Sequence, residues 1–202
     1  HLSRITGLAF TADGAGLVSV SEDRTAKLWD VPGVREPQLI EGDEFKTFAT
    51  AYSPDGRYLA TGGADGVIRV TDLAPDTKDR TPRKLTGHGA AVRVLRFVDN
   101  DRLLSGAEDN TARLWSLKDA KELKSWPHPA WVQDLAIVSN RDAFYTADAE
   151  GMIRRFGLSS KNKDRIGEVA WRVPGGAIHA LTVQPRSNDD GWCWLVTASR
   201  DG

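Results

Sequence analysis

The 202-residue chain has a single cysteine, Cys193, so no internal disulfide can staple it, and a reducing, cytoplasmic setting is the expectation. No apolar run approaches the roughly 20 residues that a membrane-spanning helix needs. Charge of one sign is also missing. Lys and Arg number 27 against 28 Asp and Glu, a formal net charge of -1. Neither a basic surplus for nucleic acid or anionic membrane nor an acidic tail is present, so neither partner is expected. There is no cysteine pair for zinc, no His-Glu-x-x-His run and no Gly-x-x-x-x-Gly-Lys-Ser loop to cradle phosphate. Asn188-Asp189-Asp190 lacks the spaced oxygen ligands of a calcium loop. No metal or cofactor is expected. What the chain does have is punctuation. Its 19 glycines and 9 prolines, with 40% hydrophobic residues, suit an all-β chain with many turns and a substantial core.

One pattern repeats along the whole length. An acid before the third hydrophobic run of each copy falls at Asp23, Asp65, Asp109, Glu150 and Asp201, at intervals of 42, 44, 41 and 51 residues. Four residues before each acid stands a hydroxyl, at Ser19, Thr61, Ser105, Thr146 and Thr197. Six residues after it come Trp29, Thr71, Trp115 and Phe156. A period in the forties with several short strands per unit indicates a propeller or array. The third copy is the fullest. Alternation there predicts strands at Val92 to Phe97, Arg102 to Gly106 and Thr111 to Trp115, with a weaker one at Glu122 to Ser125. Ala12-Asp13-Gly14 and Pro54-Asp55-Gly56 supply first turns with a glycine that tolerates positive φ. In the fifth copy Gln184 to Gly191 lengthens that loop by five residues, which reads as a solvated insertion.

These residues resemble the WD-repeat β-propeller family over essentially the whole chain. The family's Gly-His element is intact in Gly87-His88 and reads His1, Gly42-Asp43 and Pro127-His128 elsewhere, being lost at Pro174. Its terminal dipeptide reads Trp29-Asp30, Thr71-Asp72, Trp115-Ser116 and Phe156-Gly157. The resemblance implies four-stranded antiparallel blades arranged radially around a channel, with each outermost strand contributed by the preceding unit. It also implies a single partial domain of repeats at about 1–42, 43–87, 88–127, 128–173 and 174–202, expected to be part of a seven-blade ring. The chain starts within one repeat and stops at Asp201-Gly202 within another, so a piece of a longer protein is the expectation, with unpaired edges at both ends.

His1, Ser19 and Asp23, like His88, Ser105 and Asp109, have the residue types of a nucleophilic triad. Catalysis needs such a set once, whereas this one recurs. In the family these residues, with Trp29 or Trp115, form a buried structural tetrad. The second copy, with Asp43 and Thr71, and the fourth, with Glu150 and Phe156, are expected to lack the full network. Asp109→Ala is therefore expected to destabilise more than Asp65→Ala. No catalytic residue is assigned.

Function then falls to a surface. Ile5, Thr47, Val92, Val132 and Ile178 are expected to point into the blade cores, and alternation turns the residues on either side the other way. In the family such neighbours, with the residue before the turn acid, populate the top rim where partners bind. The resulting candidates are Arg4, Thr6 and Glu22; Lys46, Phe48 and Ala64; Ala91, Arg93 and Glu108; Trp131, Gln133 and Ala149; Ala177, His179 and Arg200. Of these, Arg4, Lys46, Phe48, Arg93, Glu108, Trp131, Gln133 and His179 form the expected partner-binding rim. Trp131 and Phe48 read either as interface anchors or as plugs near the channel. The segments Lys161 to Arg165 and Asp76 to Arg83 read as solvated loops, and Trp192 and Trp194 as an aromatic face. The leading expectation is a non-catalytic scaffold that binds a protein or peptide, with an acidic segment suggested by the basic rim. Two alternatives stand beside it: a propeller enzyme or small-molecule sensor using the channel, and a structural platform in a multidomain signalling protein.

Overall fold

The computed structural model describes the chain outside residues 12, 32, 34–35, 43–44, 75, 78, 139–142, 159–167, 174–175, 186–192 and 200–202, and gives backbone alone at 40–42, 168–170, 185 and 193–194. The described residues form strands and turns, with no helix. The first sheet runs β1 (Ile5–Phe10), β2 (Gly16–Ser21), β3 (Thr25–Asp30) and β4 (Gln38–Gly42). The second is β5 (Thr47–Tyr52), β6 (Tyr58–Gly63), β7 (Ile68–Asp72) and β8 (Arg83–Leu85). The third is β9 (Val92–Phe97), β10 (Arg102–Ala107), β11 (Thr111–Ser116) and β12 (Lys121–Pro127). The fourth is β13 (Val132–Val138), β14 (Ala143–Asp148), β15 (Met152–Gly157) and β16 (Glu168–Arg172), and β17 (Ile178–Pro185) pairs β18 (Cys193–Ser199) in the fifth. Every pairing is antiparallel. Gln184 and Pro185 extend β17 rather than opening a loop, and the rest of that loop lies outside the described residues, as do Trp192, Arg200 and Lys161 to Arg165.

Successive sheets bury their facing sides against one another. Ala49, Ala60, Ile68 and Val70 of the second meet Val92, Leu95, Leu103 and Trp115 of the third. Leu104, Leu114 and Trp126 of the third meet Val132, Leu135, Phe144 and Phe156 of the fourth. Burial of each large apolar side chain is worth about 1.5–3 kcal/mol, which makes these joints the principal source of stability. Gly106 is required by this stacking, because a Cβ there would lie 2.5 Å from Val132 Cγ1. The first turns form as their glycines imply, with φ of 70° at Gly14 and 72° at Gly56.

Two expectations need correction. The outer strand of the first sheet is β4, which follows β3 in the chain, so that sheet has all four strands. Its open feature is a face rather than an edge. Ile5, Leu8 and Phe10 are 50%, 60% and 63% exposed, because Val92, Leu95 and Phe97, their counterparts, pack on a preceding sheet and β1 has none beside it in this structure. Ile5 therefore does not point into a core, whereas Thr47, Val92, Val132 and Ile178 are buried.

Candidate binding site at the channel mouth

The five inner strands share one irregularity. In β1, Ile5 pairs with Ser21 and Gly7 with Val20, so Thr6 has no partner across the ladder. The same shift leaves out Phe48 in β5, Arg93 in β9, Gln133 in β13 and His179 in β17. Each is a β-bulge, one extra residue that bends the strand and re-aims its side chain. All five bulged residues, with Arg4 and Ile5, line a single cavity of about 290 Å³. Simple alternation turns residues before and after the core position alike. The bulge separates them, sending the following residue into the cavity and leaving the preceding one outside it, Arg4 excepted.

Ion pairs order this mouth. Arg4 lies 2.7 Å and Lys46 3.0 Å from Glu22, and both basic side chains are exposed. Lys46 in particular holds the Glu22 carboxyl below the usual range. Arg93 Nε stands 3.0 Å from Glu108, and its guanidinium lies over the Phe48 ring at 4.9 Å. Exposed ion pairs contribute little to stability, so those of Glu22 orient side chains more than they stabilise the fold. Trp131 precedes β13 outside the cavity and is 46% exposed, its carbonyl accepting the Ala149 N–H. His179 is exposed, Gln133 and Phe48 are half-buried, and Ala91 is buried, so Ala91 presents no surface to a partner.

Two tetrads take the same form. His1 Nδ1 lies 3.0 Å from Asp23 and Nε2 2.6 Å from Ser19 Oγ, which accepts the Trp29 indole N–H at 2.7 Å. His88, Asp109, Ser105 and Trp115 repeat this at 2.8, 2.7 and 2.8 Å. Burial alone would raise the Asp109 carboxyl, but hydrogen bonds from Thr111, His88 and the Gly89 N–H outweigh it and hold it low. Both serine hydroxyls are buried and engaged by histidine and indole, which leaves neither set arranged to attack a substrate.

The incomplete copies are not left to apolar packing. Arg69, buried beside Asp65, makes hydrogen bonds of 2.8 and 3.3 Å to its two carboxylate oxygens. Asp43 lies outside the described residues, and among those described Thr71 Oγ1 is buried without a hydrogen-bond partner. In the fourth copy the working acid is Asp148, not Glu150, whose side chain is exposed. Asp148 caps the Glu150 and Met152 N–H groups and pairs with the buried Arg154. The Met152 cap corresponds to the N–H that Asp23, Asp65 and Asp109 each accept from the residue two positions on, at or just before the third strand. His128 bonds Thr146 and the Trp126 carbonyl, and Phe156 offers no indole donor. Arg69 and Arg154 were legible as a basic residue four after each acid, at Lys27, Arg69, Arg113 and Arg154.

The chain matches the family model "WD domain, G-beta repeat" at residues 1–30, 42–72 and 80–116. It is 27% identical over 146 residues to the guanine nucleotide-binding protein G(I)/G(S)/G(T) subunit beta-1 of Homarus americanus, covering 71% of this chain and 43% of that protein. It is 28% identical over 132 residues to the serine-threonine kinase receptor-associated protein of Mus musculus, covering 62% and 35%. The WD40 beta propeller domain of Doa1 matches 100% of this chain with a TM-score of 0.77, at 23% identity and over 64% of that domain's chain. The chain thus spans less than half the length of these two curated relatives. With its recurrent strands, radial sheets and repeated tetrads, the chain belongs to the WD-repeat β-propeller family.

Proposed function

We propose that the chain is a non-catalytic interaction module that holds a protein or peptide partner across the top rim of the propeller. The observation that carries this is the convergence of five bulged side chains, one from each sheet, on one polar cavity. Exposed Trp131 lies on the adjoining rim and supplies an apolar anchor of the kind that dominates interface energetics. Arg4, Lys46, Phe48, Arg93, Glu108, Gln133 and His179 complete the contact surface. Relatives named as a subunit and as a receptor-associated protein support a role in association. The open face of Ile5, Leu8 and Phe10 corresponds in position to faces buried between sheets, and a further blade of the same ring is the partner proposed for it.

The test is selection of random displayed peptides on the full chain, followed by affinity measurements on Trp131→Ala and on Leu123→Ala, which alters an exposed residue of outer strand β12. Trp131→Ala is expected to weaken the selected peptides about thirtyfold, as loss of a hot-spot residue does, and Leu123→Ala to change little. Equal effects, or a loss confined to Leu123→Ala, would move the site off the rim.

A further inference from the structure

We infer that the channel mouth receives an oxyanion, a phosphate or carboxylate borne by a side chain of the bound peptide. This rests on the rim-binding reading and names the chemistry at its centre. The cavity lining offers two guanidinium groups, an amide, an imidazole and a hydroxyl, with no carboxylate among the described residues. The Thr6 hydroxyl is already committed, donating to the Thr47 carbonyl at 2.6 Å. The acids beside the mouth, Glu22 and Glu108, are held by Arg4, Lys46 and Arg93. Among the described residues, these three cations against two carboxylates leave one positive charge in excess there.

Arg93 is the group best prepared for such a ligand. Phe48 supports one face of its guanidinium, and Glu108 sits beside Nε. That contact is close but poorly directed, so the buried Nε has no hydrogen bond. Among the described residues no acceptor engages the terminal nitrogens either. A planar guanidinium already fixed in place gives up little freedom when it forms charge-assisted bonds to an oxyanion. Asp134, the acid next to Gln133 in sequence, does not oppose this: it bonds the Leu135 and Leu181 N–H groups and pairs with Arg96 away from the cavity lining.

The experiment uses the full chain and four random nine-residue peptide libraries, with a fixed central phosphoserine, glutamate, serine or lysine. Peptides recovered from each are measured by fluorescence anisotropy against the unaltered chain, Arg93→Gln and Glu108→Gln, each checked for an unchanged melting transition. The phosphoserine and glutamate libraries are expected to bind at least tenfold more tightly than serine, and their ratio identifies which oxyanion is preferred. Arg93→Gln is expected to abolish that advantage, while Glu108→Gln, which removes the competing carboxylate, preserves or increases it. Binding that favours serine or lysine, or an anion advantage that both variants reduce alike, would overturn the inference. Binding of neutral peptides that still depends on Trp131 would overturn it while leaving the rim reading intact; loss of Trp131 dependence would remove both.

Discussion

Arg69 and Arg154 show how a single side chain can stand in for a missing one. In the full tetrads the turn aspartate is engaged by histidine, and the basic residue four positions on stays less buried: Arg113 reaches Glu122 as well as Asp109. In the second copy Arg69 lies buried on Asp65 instead. This reverses the expected order of the two alanine variants. Removing one partner of a buried ion pair costs about 3–5 kcal/mol, against about 1–3 kcal/mol for stranding a buried neutral polar group. Asp65→Ala is expected to destabilise by about 3 kcal/mol in urea unfolding, at least as much as Asp109→Ala, and Asp65→Ala/Arg69→Met to recover much of the loss. A double variant no more stable than Asp65→Ala would contradict it.

His128 carries a second prediction at the same scale. Burial pushes its imidazole down to about 4, against an ordinary value near 6.5. The unfolded chain therefore takes up this proton first as pH falls. The stability carried by neutral His128 is fully present above about pH 6.5 and is lost as pH falls toward 4, by on the order of 3 kcal/mol. His88, lowered chiefly by burial, acts in the same direction. His128→Gln is expected to flatten the fall in unfolding free energy between pH 6.5 and 4. An unchanged slope would show that His128 is not the titrating group.

At the level of strands, the joint between the first and second sheets is built differently from the others. Its buried cluster is Val18, Val20, Ala26 and Leu59. Thr50 occupies the register position held by Leu95, Leu135 and Leu181 elsewhere, and its buried hydroxyl has no hydrogen-bond partner among the described residues. Its Cγ2 faces Gly7 across the joint. Thr50→Val keeps the shape and removes the unmatched hydroxyl, so a gain of about 1 kcal/mol, or roughly 3 °C in Tm, is expected. A lower Tm would show that the hydroxyl is satisfied in solution.

The strands themselves were readable because alternation and turn glycines are local signals. Val92 to Phe97 forms the strand that its pattern predicts, and Glu122 to Ser125 lies within β12. The bulges were not readable. Thr6, Phe48, Arg93, Gln133 and His179 share no residue type, since what singles them out is the register of β1, β5, β9, β13 and β17 against their partners. Their variability between core positions was the one trace they left in the sequence. Asp148 was missed for a related reason: the turn acid of the fourth copy sits two residues earlier than the repeat phase implies.

Across the whole molecule, repetition supplies the scaffold and departure from repetition supplies the site. The tetrads and buried ion pairs fix the top turns of the sheets, and the bulges beside them deliver five unlike side chains to one mouth. The cavity is already formed in the free chain, which suits the proposed capture of a peptide. The face at Ile5, Leu8 and Phe10 is open and apolar, which suits the further blade proposed for it, while the polar mouth suits the proposed ligand.

Hydrogen exchange of the full chain, free and saturated with a peptide selected on it, tests the location of that site most directly. The account predicts added protection at the amides around residues 4–6, 46–48, 91–93, 131–133 and 177–179, with the outer strands β4, β8, β12 and β16 unchanged. Protection confined to those outer strands, or to the turns at 13–16 and 54–57, would contradict it.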